Sequence, residues 1–430
     1  MSKVKYVFVI MIFLSCYLHM YFLYHNPGQS FNNPEVYDAS LTEVYGDKVL
    51  KYGSFDAVYY SITAEQLLSK GFLGFASTAP NAYVTPGQPV YLAIIFGIAD
   101  LTGGDHLLFA KIANMLLSIA TSVLMFYIGF NIFGKIWVGF LSGFGYMLYF
   151  PQYHYFRALL TEIPAIFLFC LSLLLFVLAI KKNNAKYHIL FGIIFSILLM
   201  FRPSPAPLVL IGIGIIVYNN SVKNSLRIAI LWLIGPILII APWVVRNLIV
   251  LNEFILFSSQ ENPLFAGTNP FELEDYGEMM NKANEMGISQ KEAAHLRIEE
   301  GFRSHPALWI SWYVFGKTIY LFQRPSAISL YMNNNSFFVK PIYLYHYMTI
   351  ISAIFATVIF RKRGSVFCLS LMIIMYIAVS NVFIVNDRYG FFIMPIFILL
   401  GSYMIYISVK HYKDFISSLS KHFKARLKWD

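Results

Sequence analysis

The stretch that decides the fold is residues 159–182, LLTEIPAIFLFCLSLLLFVLAIKK. Its apolar run from 163 to 180 is long enough to cross a bilayer, because a spanning helix needs about 20 predominantly apolar residues. Lys181 and Lys182 follow the run, and basic residues in short loops mark the cytoplasmic side of a membrane. Glu162, at the other end of the run, is therefore predicted to lie on the outer side.

The same pattern recurs along the chain. Its 430 residues are 58% hydrophobic and only 13% charged, which excludes a soluble globular protein and predicts an all-α polytopic membrane protein. Both termini are expected in the cytoplasm. The predicted spans are 6–24, 107–131, 136–150, 163–180, 187–202, 203–218, 226–245, 342–360, 365–382 and 389–409. Residues 88–101 and 306–322 are predicted to be interfacial or re-entrant helices, because a full crossing by either would invert the loops that follow.

The segments outside the bilayer define the domain organisation. We expect a single transmembrane domain over 1–430, with a first outer loop (25–86), a second large outer loop (247–305) and a basic cytoplasmic tail (410–430). The net charge of +10 reflects the cytoplasmic bias of lysine and arginine, so no nucleic-acid partner is expected. The first apolar run lacks a small-residue cleavage site and is interpreted as an uncleaved span.

Charged patches interrupt the apolar background where spans meet the outer surface. They are Asp56, Arg157 with Glu162, Arg246, and Arg388. A charged side chain at the centre of a membrane helix costs about 2.5–3.5 kcal/mol, so such residues are usually paired or functional. Alternatively, Arg246 and Arg388 extend to lipid phosphates, and Glu162 pairs with Arg157. Arg202, in Phe-Arg-Pro-Ser-Pro, is predicted to anchor a tight outer hairpin.

Carboxylates and arginines at the outer face suit the transfer of a sugar from a polyprenyl phosphate. Arginine binds a leaving phosphate bidentately while a carboxylate deprotonates the acceptor hydroxyl. A single displacement of this kind inverts the anomeric centre. A polytopic transporter or a lipid or glycolipid flippase is the alternative, although the chain lacks the duplicated halves common in transporters. A third hypothesis is that the protein is a non-catalytic membrane scaffold.

The order of several short motifs carries a family resemblance across residues 50 to 400. The motifs are Asp56 with Tyr59 and Tyr60, Thr85–Pro89, Leu159–Glu162, Phe201–Pro203, Pro242–Asn247, Ala266–Pro270, His305 with Pro306, and Asp387–Tyr389. In this order the chain resembles the GT-C glycosyltransferases that use lipid-linked sugars, especially the branch that includes aminoarabinose transferases and protein O-mannosyltransferases. The expected fold is then a GT-C-like bundle of about ten to twelve transmembrane helices with outer-face juxtamembrane helices.

The resemblance implies roles for individual residues. Asp56 matches the acid taken as catalytic base, and Glu162 falls where the family carries a second outer acid, often Asp. The residues implied for binding the donor phosphate are Arg246, Arg388 and Arg157. The residues implied for the substrate pocket are Tyr59, Tyr60 and Tyr389. The resemblance leaves a divalent metal cofactor near the acids as an alternative, but His154, His305 and Glu261 lack the spacing of a metal motif, so we predict no metal site.

The implied partners are a polyprenyl-phosphate sugar donor, membrane lipids, and a glycolipid, glycan or protein acceptor. The choice of acceptor is expected to reside in residues 247–305, the more polar outer loop. A short basic tail without a retention signal favours a bacterial inner membrane, with the active site facing the periplasm.

Overall fold

The computed structural model describes residues 2–25, 52, 54–327 and 339–426. Much of the predicted first outer loop and the end of the predicted tail lie outside these residues. Over the described residues every regular element is a helix. In chain order the α-helices are α1 (Ser2–His25), α2 (Phe55–Lys70), α3 (Gly87–Thr102), α4 (His106–Phe133), α5 (Ile136–Leu148), α6 (Pro151–Tyr155), α7 (Glu162–Lys182), α8 (Ala185–Phe201), α9 (Val209–Asn219), α10 (Val222–Leu251), α11 (Asn262–Ala266), α12 (Tyr276–Glu285), α13 (Gln290–Ser304), α14 (Pro306–Ser311), α15 (Lys317–Phe322), α16 (Val339–Ile359), α17 (Gly364–Ser380) and α18 (Asp387–Arg426).

The apolar helices confirm the predicted all-α polytopic membrane architecture. Helices α1, α4, α7, α10, α16 and α18 are long and apolar enough to cross a membrane, while α3, α5, α8, α9 and α17 are shorter apolar helices. Each predicted span coincides with one of these helices. Helix α18 continues to Arg426, well beyond the predicted end of the span at 409, and α9 begins at Val209 rather than at the predicted Pro203. Prolines in this stretch limit the backbone to a short 3₁₀ turn over Ala206–Leu208 before the helix.

Helix α18 forms the centre of the bundle. Two thirds of its apolar segment is buried, the largest share among the long helices described, and Phe391, Phe392 and Ile393 are almost inaccessible. It packs against α16, α5, α17 and α15. We call the end of the bundle where α7 begins at Glu162, α8 ends at Phe201 and α18 begins at Asp387 the Glu162 end.

Both ends of α3 lie toward the Glu162 end. At its beginning, the Gln88 amide donates to the carbonyl of Leu159 (3.1 Å). Near its end, the Asp100 carboxylate lies 2.6 Å from Nε2 of His106, the first residue of α4. The third turn of α4 is at the level of Leu159, because Asn114 donates to the carbonyl of Ala158 (3.2 Å). Helix α3 therefore rises along the first turns of α4, which is compatible with the predicted interfacial or re-entrant helix.

Helices α8 and α10 cross with their backbones in contact. A Cβ placed on Gly235 of α10 would lie 2.0 Å from the carbonyl oxygen of Gly192 in α8. A Cβ on Gly192 would lie 2.4 Å from the carbonyl oxygen of Trp232. Small residues commonly allow this approach between membrane helices, where van der Waals packing stabilises the pair.

We therefore expect Gly235→Ala to destabilise the protein by about 1–3 kcal/mol, because the added methyl group forces α8 and α10 apart. The thermal melting midpoint of purified protein in lipid nanodiscs measures this. Gly214→Ala is the matched control, since a Cβ at Gly214 in α9 meets nothing within 4 Å. Equal melting midpoints for the two variants would contradict the close crossing.

Candidate functional site

Asp56 lies in the first turn of α2, at the surface. Ser54 caps this helix by accepting a hydrogen bond from the Ala57 N–H (3.2 Å). A carboxylate in the first turn is favoured by the positive end of the helix dipole. The Asp56 side chain is 54% exposed, so solvent or a bound molecule can reach it directly.

Glu162 begins α7 and is buried, with its side chain 1% exposed. Its Oε1 accepts hydrogen bonds from Nε of Arg388, in the first turn of α18, and from Nη2 of Arg202 (2.5 Å). Arg388 also donates from Nη1 to Oδ2 of Asp56 (3.2 Å). One guanidinium thus joins two carboxylates that are 106 positions apart in the sequence. The predicted residues Asp56, Glu162 and Arg388 are brought together in a single cluster.

Arg202 belongs to the same cluster, in contacts that go beyond its predicted role as a hairpin anchor. The following proline disfavours helical geometry at residue 202, and Arg202 has φ −145° and ψ 115°. In this extended conformation its Nε donates to the Thr161 hydroxyl (3.0 Å) and its Nη2 to Glu162. Its guanidinium lies 5.6 Å from the ring centroid of Tyr389. In the sequence, Pro203 was the available signal for the position of Arg202, because a proline there ends α8 at the Glu162 end of the bundle.

Of the predicted pocket tyrosines, Tyr60 and Tyr389 lie near the charged cluster, and Tyr59 packs beside Tyr60 on Phe75. The rings of Tyr59 and Tyr60 lie 5.6 and 5.1 Å from the ring of Phe75. Burial, together with the nearby Asp56 carboxylate, raises the pKa of Tyr60. Its hydroxyl therefore stays protonated at neutral pH and can donate a hydrogen bond. Tyr389 faces Arg202 as described, and the Tyr376 hydroxyl donates to its backbone carbonyl (2.9 Å).

Arg246 makes contacts that hold the turn between α2 and α3. It donates to the carbonyl oxygens of Asn81 (3.0 Å) and Leu73 (3.3 Å) and to the Asn247 side chain (2.9 Å). Its guanidinium also lies 5.2 Å from the Trp243 ring centroid. These contacts favour a structural role, and the part of Arg246 in phosphate binding stays a prediction.

Arg157 lies in the buried turn between α6 and α7. Its Nε donates to the carbonyl of Tyr153 (3.0 Å), and the residue is 6% exposed. The turn that carries Arg157 also carries Leu159, so it lies beside the start of α3. Its predicted contact with a donor phosphate stays a prediction.

The acids and histidines considered for a metal do not fit such a site. The described residues hold no group of three or more His, Cys, Asp or Glu side chains that could bind a metal ion. Glu261 accepts a hydrogen bond from the backbone N–H of Lys291 (3.1 Å), and His305 ends α13. Asp56 and Glu162 instead bind a guanidinium, which would repel a cation.

A polar lobe, residues 252–305, contacts the residues that precede α18, where the Ile384 N–H donates to the Pro263 carbonyl (2.7 Å). Its boundary was predicted at residue 247, but α10 continues to Leu251. Arg297 donates to Glu274 (2.6 Å) and to the Thr268 hydroxyl (3.0 Å), which joins α13 to the turns before α12. The Arg297 guanidinium lowers the pKa of Glu274. Phe265 and Met279 pack with α13 in a small core of the lobe's own.

Because Glu162 forms ion pairs with two arginines in a buried setting, we expect Glu162→Gln to destabilise the protein by about 3–5 kcal/mol. Thermal melting in nanodiscs would show this as a large fall in the midpoint. Glu65→Gln is the control, since Glu65 lies on the exposed face of α2 and should melt like the wild type. A variant at 162 that melts at the wild-type temperature would contradict the ion-pair network.

Comparisons with known proteins fit this fold. A family model described as dolichyl-phosphate-mannose-protein mannosyltransferase matches residues 85–245, the segment from the turn before α3 to α10. Comparison with curated protein sequences gives no match.

Among solved structures, the chain is similar to the Archaeoglobus fulgidus oligosaccharyltransferase tethered to an acceptor peptide, with a TM-score of 0.55 and 12% identity over 94% of this chain and 50% of that one. It is also similar to the oligosaccharyltransferase AglB of the same organism in complex with an inhibitory peptide and a dolichol-phosphate, with a TM-score of 0.54 and 12% identity over 96% of this chain and 52% of that one. The chain thus spans about half the length of these proteins. The resemblance inferred from the order of the sequence motifs is confirmed, and the chain is an integral, multi-pass membrane protein with the GT-C fold.

Proposed function

We propose that the protein is a glycosyltransferase that moves a sugar from a polyprenyl-phosphate donor to an acceptor hydroxyl, with inversion, at the outer face of a bacterial inner membrane. The observation that carries the proposal is the convergence of Asp56, Glu162, Arg202 and Arg388. The cluster combines a surface carboxylate with two arginines, which are the groups that the reaction needs. A family model of dolichyl-phosphate-mannose-protein mannosyltransferases supports the donor class.

The cluster is suited to an anionic leaving group. Helices α2, α7 and α18 all begin there, and the N-terminal ends of helices carry partial positive charge. Arg388 and Arg202 add two positive charges, of which the Glu162 carboxylate offsets one. A phosphate that carries developing charge in the transition state would be stabilised by these groups, because the site is partly shielded from water.

The two carboxylates have different exposures and therefore different proposed roles. Glu162 is buried and holds both arginines through one oxygen, so it fixes the guanidinium groups in place. Asp56 is half exposed and meets Arg388 at 3.2 Å, the weaker of the two contacts. A donor phosphate that binds Arg388 displaces Asp56 first. Asp56 is then free to act as the general base.

In the proposed reaction the acceptor hydroxyl oxygen attacks the anomeric carbon as the bond from that carbon to the phosphate oxygen breaks. The hydroxyl proton passes to the Asp56 carboxylate, and the phosphate leaves with the bonding electron pair. Arg388 stabilises the departing charge through charge-assisted hydrogen bonds. In this proposal Tyr59, Tyr60 and Tyr389 contact the sugar or the acceptor.

We expect Asp56→Asn to lower turnover by about two to four orders of magnitude, because the base is removed while the shape is kept. Binding of the donor should be largely preserved. The assay follows transfer or hydrolysis of a panel of labelled polyprenyl-phosphate sugars by protein in nanodiscs. Glu65→Gln, on the same helix, is the control and should retain wild-type turnover.

The assay also separates this function from the alternatives. Donor consumption by the wild type and not by Asp56→Asn supports the transferase with Asp56 as its base. Consumption by neither protein across the whole panel, with matched melting curves, would overturn the proposal in favour of a transporter, a flippase or an inactive relative.

Arg388→Ala should instead weaken donor binding, since the phosphate loses a charge-assisted pair worth about 1.5–3 kcal/mol. The expected kinetic result is a KM for the donor raised by at least about ten-fold. Arg303→Ala serves as the control, because Arg303 is exposed on α13 and pairs only with Glu299 among the ion pairs of the described residues. An unchanged donor KM in Arg388→Ala would remove this arginine from the donor site.

We further propose that the polar lobe, residues 252–305, selects the acceptor. The lobe lies beside the Glu162 end and is rich in charged side chains, so it can recognise a polar molecule outside the bilayer. Replacing it with the corresponding lobe of a GT-C transferase of different acceptor should change the acceptor used and leave the donor unchanged. Retention of the original acceptor by a folded chimera would contradict this role.

A further inference from the structure

Lys317 is a fully buried lysine at the start of α15. Its Nζ donates to the carbonyl oxygens of Asn381 (2.8 Å) and Phe383 (3.0 Å). The same nitrogen lies 4.0 Å from the ring centroid of Tyr313. Two carbonyl acceptors and an aromatic face satisfy the three N–H donors of an ammonium group. The side chain is therefore built into a defined site.

Both carbonyls belong to the linker between α17 and α18, residues 381–386. The linker also contacts the segment that carries Lys317 and the polar lobe. The Asn381 amide donates to the Tyr313 carbonyl and to the Thr318 hydroxyl, both at 2.9 Å. The backbone N–H of Ile384 donates to the carbonyl of Pro263 in the polar lobe (2.7 Å).

The linker leads directly into Arg388. The Asn386 side chain accepts a hydrogen bond from the backbone N–H of Arg388 (3.0 Å), which caps the first turn of α18. Val385 packs with Trp312 and Leu321. A Cβ on Gly390 would lie 1.9 Å from the Leu321 carbonyl oxygen, so α15 also lies against the backbone of α18. Little freedom remains between Lys317 and the start of α18.

Burying this amine carries a cost. Burial lowers the pKa of Lys317 to about 7, since its acceptors are carbonyl dipoles rather than a carboxylate. An apolar side chain of similar length would fill the same space without that cost. The hydrogen bonds to the linker are what such a replacement would lose.

We propose that Lys317 is a positioning residue, which holds the linker 381–386 in the conformation that presents Arg388 to Glu162 and Asp56. The same linker connects the polar lobe to Arg388, the arginine proposed to bind the donor. The effect of Lys317 on the donor KM rests on the proposed function, whereas its effect on the conformation of the linker does not.

The first test is hydrogen–deuterium exchange of the full-length protein in nanodiscs. Lys317→Met keeps the length of the side chain and removes its donors. Peptides covering 381–390 should exchange roughly ten-fold faster, because hydrogen bonds that fix the linker are lost, while peptides of α4 remain unchanged. Lys340→Met is the control, since Lys340 is exposed at the start of α16. Wild-type exchange of 381–390 in Lys317→Met would overturn the proposal.

The second test compares the effect of Lys317→Met on the donor KM with its effect on kcat. A positioning role predicts a donor KM raised about ten-fold with kcat changed by less than about three-fold. A merely structural loss would lower kcat and leave KM unchanged, and that result would overturn the positioning role. If Lys317→Met does not fold, Asn381→Leu removes the linker's amide contacts from the other side and should give the same exchange and KM changes. If the wild type consumes no donor, the proposed function fails, and the exchange result still decides whether Lys317 fixes the linker.

Discussion

The ion pair between Glu162 and Arg388 is the interaction on which the rest of the site depends. It joins the starts of α7 and α18, and α18 is the helix around which the bundle packs. A carboxylate that is 1% exposed is stable only when its charge is compensated, because desolvation of an unpaired ion costs several kcal/mol. Arg202 supplies the second compensation from the end of α8. Removing Glu162, Arg388 or Arg202 would leave a buried charge less compensated, so these three helix ends are held at one level.

This constraint leaves one carboxylate available for chemistry. Glu162 is buried and holds both arginines through Oε1, whereas Asp56 meets Arg388 from the surface and keeps half of its side chain accessible. In the proposed function, the Arg388 guanidinium serves as a structural partner in one state and as a phosphate ligand in another. Preorganised charges of this kind stabilise a transition state without reorganisation during the reaction. The linker from α17 extends the constraint outward, since it ties the start of α18 to the polar lobe.

Sequence reasoning found Asp56, Glu162 and Arg388 because charged residues at the ends of apolar runs stand out and are costly unless used. It did not place Arg202 in the site, since a proline-rich turn suggests an anchor and gives no direction for the side chain. It also gave no role to Lys317, which is a single lysine within an apolar segment. The pairing of either residue depends on which helix ends meet, and that information is nonlocal.

The sequence by itself determined the all-α membrane architecture, the approximate helices and the order of motifs that points to the GT-C fold. Local sequence patterns suffice for these features, because a bilayer permits few backbone conformations and the length of an apolar run directly indicates a spanning helix. Only the tertiary structure decided that Arg388 joins Asp56 to Glu162, that Arg246 holds a turn, and that Lys317 donates to the carbonyl oxygens of the linker. Those contacts join residues tens to hundreds of positions apart, and they are set by helix packing that no local pattern specifies.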